Sequence, residues 1–162
     1  MPNLSSLLLL AVAIFAGAVV PLQAGANANL GRLLGHPLWA TAVSLGVSLA
    51  LILPMLIAFR APLPNLAVAF KGPWWIWIGG LAGVIYITAA LLLAPKLGAA
   101  SFIVAVIAGQ MVISMLIDHY GLMGFPQKPV NAARLTGLFF IVGGMVITQI
   151  ANVTPALANA PR

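Results

Sequence analysis

The sequence predicts an all-α protein that crosses a lipid bilayer five times, and three observations carry the prediction. Of 162 residues, 63% are hydrophobic and 5% are charged. A soluble domain is nearer half apolar and a quarter charged, so this chain cannot coat a water-facing surface. Five stretches reach roughly 20 mostly apolar residues, the length that crosses a hydrocarbon core. The first four contain no Lys, Arg, Asp or Glu, and the fifth carries only Arg134, in its first turn.

The elements follow in order. The first span is expected over about 4–27, closed by the glycines between Gly31 and Gly35. Its apolar run and the small residues Ala24 and Ala26 resemble a signal peptide, but Met1 to Ser6 lack the basic residues that open one. A second span is expected over 37–59, with Pro37 in a first turn where no intrahelical N–H bond is lost. The third, over 74–93, starts after Pro73 with Trp74, Trp75 and Trp77, an aromatic belt at headgroup level. Only Ala94-Pro95-Lys96 separates it from the fourth, over 97–117, so these two are expected to form an antiparallel hairpin. Pro126 and Pro129 precede the fifth, over 132–152. Residues 1–153 are thus expected as a single five-helix domain, and the Ala/Asn/Pro-rich 154–162 as a disordered tail.

Composition removes most chemistry. The chain has no cysteine, two histidines and one acid, Asp118. Disulfide frameworks, thiolate metal sites, cysteine nucleophiles and paired-carboxylate hydrolysis therefore need residues that are not there. Neither a phosphate-cradling Gly-Lys-Ser/Thr loop nor a Gly-x-Ser-x-Gly elbow occurs. No enzyme activity, cofactor or metal is expected. The net charge of +6 comes from seven scattered bases, which form no continuous stripe for nucleic acid. They read as membrane-surface charges, and membrane lipid is the first expected partner. With five spans, one face carries Arg60, Lys71, Lys128 and Arg134, and the other Arg32, Lys96 and Arg162. Four against three is almost no bias. It permits insertion in both orientations and antiparallel pairing of two copies, or one orientation set by other signals.

Polar groups inside a membrane are costly, so the few present are informative. Gln23 and Asn27 share one face of the first helix, just beyond Pro21, which removes a backbone hydrogen bond. Tyr86 and Gln110 sit at mid-depth in the third and fourth helices. Together these four side chains are expected to line a neutral polar cavity for a small-molecule solute. The competing reading is that each amide only bonds to a neighbouring helix. Asp118 and His119 are the candidates for proton coupling, although they close the fourth helix where water begins. There Asp118 reads more readily as a loop anchor facing Lys128 or Arg134. Gly79, Gly83, Ser101, Ala105 and Gly109 recur at helix-contact spacing and are read as packing or dimer surfaces.

Two stretches resemble a known family. They are Ala94-Pro95-Lys96-Leu97-Gly98-Ala99-Ala100, with Gly109-Gln110 and Asp118-His119-Tyr120-Gly121-Leu122, and Pro21-Leu22-Gln23-Ala24-Gly25, with Asn27 to Gly31 and Gly35-His36-Pro37. Over about 7–151 the chain is similar to the YdcZ-type five-helix inner-membrane branch of the drug/metabolite transporter superfamily. The resemblance implies a bacterial inner-membrane exporter protomer, equivalent to one half of a ten-helix EamA-like transporter. It further implies a homodimer, or a heterodimer with a similar five-helix chain. Export of a small organic metabolite or drug-like solute by alternating access in an antiparallel dimer is the expected function. A non-transporting accessory membrane subunit is the alternative.

Overall fold

The computed structural model describes the backbone over residues 4–158 and side chains through residue 151. Every described regular element is a helix. They are α1 (Leu4–Leu33), α2 (Pro37–Ala58), a short α3 (Leu66–Lys71), α4 (Ile78–Leu97), α5 (Ala99–Tyr120) and α6 (Ala132–Ala158). A 3₁₀ turn at Trp74–Trp77 runs into α4, and another at Leu122–Gly124 follows α5. Five segments are long and apolar enough to cross a bilayer: Leu4–Leu33, Pro37–Ala58, Trp74–Leu97, Ala99–Tyr120 and Ala132–Ala151. The predicted fold class therefore holds. Most large apolar side chains on these segments are exposed, the inverse of a water-soluble core and the arrangement that lipid demands.

Boundaries differ from the sequence reading: α1 runs on past residue 27 to Leu33, and α4 runs through Pro95 to Leu97. Pro21 and Pro54 lie inside α1 and α2, within the expected spans. Ala94-Pro95-Lys96 is thus the last stretch of a helix, and the whole connection to α5 is Gly98, held at φ +84. Proline's fixed φ is helical, and each interior proline forfeits one N–H bond without forcing the helix to stop. α6 continues to Ala158, past the expected boundary at 153, and residues 159–162 lie outside the described residues.

The helix starts are capped by side chains. His36 Nδ1 accepts from the Leu38 N–H at 3.2 Å, Asn65 Oδ1 from the Val68 N–H at 3.2 Å and Asn131 Oδ1 from the Arg134 N–H at 2.9 Å. Each satisfies a donor that the first turn of a helix leaves without a partner. α5 ends on Gly121 in the left-handed region, φ +63, whose N–H returns to the carbonyls of Ile117 and Asp118.

The chain forms two compact units, Met1–Lys96 and Leu97–Arg162. In the first, Ala40, Ile87 and Leu91 make a small apolar core, joined by Ala28, Leu30 and Tyr86. α1 meets α2 through Asn27 Nδ2 donating to Ser44 Oγ at 3.1 Å, and the hydroxyls of Thr41 on α2 and Thr88 on α4 bond at 3.1 Å. Gly31 lies under this core: a Cβ there would stand 3.4 Å from Leu91 Cδ2 and 3.6 Å from Ala40 Cβ. In the second unit α5 packs on α6, with Ser101, Phe102, Ala108 and Met115 buried. Gln149 Nε2 on α6 reaches the Ser101 carbonyl at 3.4 Å.

Candidate solute site

The first unit brings together three of the four side chains expected to line a polar cavity. Val20, Gln23, Ala24 and Asn27 fall at i, i+3, i+4 and i+7 on α1, which places them on one helix face. Tyr86, Ile87 and Ala90 of α4 close the opposite wall. The alanines Ala24 and Ala90 are both buried and leave room that larger side chains would fill. The resulting recess measures about 10 Å³, the size of one water molecule. Asn27 is buried and fixed by Ser44, while Gln23 is exposed at the recess edge. Gln110 belongs to the second unit, where it is exposed on α5. Neither Gln23 nor Gln110 bonds its amide to another group among the described residues.

Asp118 and His119 occupy a different kind of place. Asp118 Oδ2 pairs with Arg134 Nη2 at 3.2 Å, both side chains about one-third exposed, and the Asp118 carbonyl accepts the Lys128 N–H at 2.7 Å. His119 Nδ1 accepts the Val130 N–H at 3.1 Å, and its carbonyl accepts from Gln127 Nε2 at 3.0 Å. Arg134 Nη1 also donates to the Lys128 carbonyl at 3.2 Å. These contacts staple the segment between α5 and α6 onto the end of α5. The loop-anchor geometry read from the sequence for Asp118 is therefore present, with Arg134 as the charged partner and Lys128 as a backbone one.

The small-residue positions divide. Ser101 is buried and Ala105 half-buried in the second unit. A methyl group added at Gly79, Gly83 or Gly109 would meet nothing within 4 Å among the described residues, so packing within each unit does not require glycine there. Three polar residues that bond between helices escape a reading of the sequence: Thr41, Ser44 and Gln149. A short hydroxyl inside an apolar run gives little signal, because Ser and Thr often bond to their own helix. Ser48 does so here, to the Ser44 carbonyl at 3.0 Å. Gln149, an amide within the last span, carries the same signal as Gln110. Among the described residues no group of three or more His, Asp, Glu or Cys could hold a metal.

Comparison with known proteins agrees with this architecture. No curated protein and no solved structure matches the chain. A family model does, the one described as "Putative inner membrane exporter, YdcZ", over residues 8–147. That stretch contains all or most of each of the five membrane-spanning helices and both polar clusters. The family's description is that of an inner-membrane exporter, and with its five apolar helices this chain is a multi-pass protein of the inner membrane. The chain belongs to the YdcZ family of the drug/metabolite transporters.

Proposed function

We propose that the chain is an exporter protomer that moves a small organic solute by alternating access, and that two such chains, antiparallel, form the working unit. The observation that carries this reading is the pairing of a recess too small for any metabolite with two exposed glutamines, Gln23 and Gln110, on membrane-spanning helices. An amide facing hydrocarbon costs free energy, so it needs a second chain or a water-filled path beside it. The open glycines at 79, 83 and 109 support the same inference, since small residues let backbones of neighbouring helices approach closely. With no ionised group at the recess, the solute would be neutral, zwitterionic or weakly charged. Proton coupling through Asp118 or His119 would have to break the Arg134 pair or the Val130 bond on each cycle.

The accessory-subunit reading draws on the bonds Asn27–Ser44 and Thr41–Thr88, which hold helices together and need no solute. Proteoliposomes challenged with a metabolite panel separate the two. Gln23→Leu and Gln110→Leu should abolish efflux while leaving the purified protein folded; no efflux of any compound by the wild type would overturn the exporter reading. Reporters fused after residue 162 should appear on both membrane faces, whereas a single face would rule out an antiparallel homodimer.

A further inference from the structure

One helical turn along α1 from the recess, α1, α2 and α4 line a larger, open cleft of about 340 Å³. This volume lies within the range of about 300 to 1,000 Å³ in which small-molecule sites are found. Arg32 and Lys96 both line it, against an apolar wall of Pro37, Leu91, Leu92 and Pro95. A single basic residue at the end of a helix is commonplace, because it complements the terminal carbonyls. Here the basic residues of the last turns of α1 and α4 line one and the same cleft. Like charges so placed favour an anion between them. The first unit supplies none, since the only acid in the chain is Asp118, which lies in the second unit and pairs with Arg134. Arg32 is steadied by one bond, Nη2 to Asn29 Oδ1 at 3.2 Å, which leaves most of its five N–H donors for a ligand. Both residues end membrane-spanning segments, which puts the cleft at headgroup depth.

We infer that this cleft binds the headgroup of an anionic phospholipid, with the phosphate between Arg32 and Lys96 and the glycerol end of the acyl chains against the leucine and proline wall. Basic pockets between membrane helices take anionic lipids in this manner. The site stands whether or not the chain carries a solute. Native mass spectrometry of the full chain released from detergent, titrated with phosphatidylglycerol or phosphatidylcholine, tests it. The wild type should retain phosphatidylglycerol and not phosphatidylcholine. Each cation at a membrane surface is worth about five-fold in affinity, so Arg32→Gln with Lys96→Gln should weaken retention roughly 25-fold. The charge-keeping pair Arg32→Lys with Lys96→Arg should retain the lipid, which separates loss of the site from loss of the fold. Lys71→Gln with Lys128→Gln, which removes the same charge elsewhere, should also retain it. The inference fails if the double variant Arg32→Gln with Lys96→Gln binds phosphatidylglycerol like the wild type, or if the control lacking the charges of Lys71 and Lys128 loses it equally. It also fails if soluble glycerol 3-phosphate displaces the lipid, because the cleft would then be a site for a soluble anion.

Discussion

The bond between Asn27 and Ser44 offers a direct way to distinguish a side chain that lines a path from one that holds helices together. Asn27 Nδ2 donates to Ser44 Oγ at 3.1 Å, and the residue is about 9% exposed on the wall of the recess. The perturbation is a double-mutant cycle of Asn27→Ala, Ser44→Ala and the two combined. Interhelical hydrogen bonds in membranes average about 0.6 kcal/mol and reach about 1.7 by such cycles, because helices apart in the bilayer find other partners. The Asn27–Ser44 distance is ordinary for a neutral bond, so a coupling of about 0.5 to 1.5 kcal/mol is expected. Equilibrium unfolding of the purified protein in mixed micelles under rising dodecyl sulfate reads the coupling, and efflux from proteoliposomes reads function. If Asn27 also meets solute, Asn27→Ala should reduce efflux by at least ten-fold more than Ser44→Ala does, at similar stability loss. Equal efflux losses from the two single variants would refute the solute-lining role. A coupling indistinguishable from zero would refute the packing of α1 on α2 described above.

Other expectations follow from local geometry. Gly31→Ala should be tolerated in the same unfolding assay, since its methyl would make ordinary van der Waals contact with Leu91 and Ala40. Gly31→Leu should cost about 1 to 3 kcal/mol by overpacking; equal losses from both would mean that the space beside Leu91 is not as drawn. Arg134→Gln removes the partner of a pair about one-third exposed, so its stability cost should stay at or below about 1 kcal/mol. Its clearer effect should be faster backbone amide exchange between Gly121 and Asn131. Unchanged exchange there would show that the staple does not depend on the ion pair.

The spans are legible in the sequence because a bilayer imposes a single requirement, some twenty apolar residues, that needs no knowledge of tertiary contacts. The Asp118 anchor is legible for a similar reason, since one acid among seven bases has few places to go. The orientation of Gln110 is not. α5 is apolar nearly all round, so no stripe marks which side meets protein, and periodicity cannot tell a lining amide from one facing outward. The continuation of α4 through Pro95 is equally hidden. Proline ends helices in water more readily than in a membrane, where neighbouring groups compensate the lost bond. Thr41 and Ser44 escape notice because their partners lie on other helices 47 and 17 residues away.

The length of α1 bears on the kind of bilayer the protein suits. Its 30 residues extend about 45 Å at 1.5 Å per residue, against a hydrocarbon slab about 30 Å thick. Burying all of it would take a tilt near 48°, steeper than the range of about 0 to 40° that such helices adopt. Part of the helix therefore projects into the headgroups, and a thicker membrane would draw more of it in. With Arg32 held at the surface, Gln23 lies about 13 Å along the helix axis from it, near the centre of an average bilayer when the helix stands upright and farther from the centre in a thicker one.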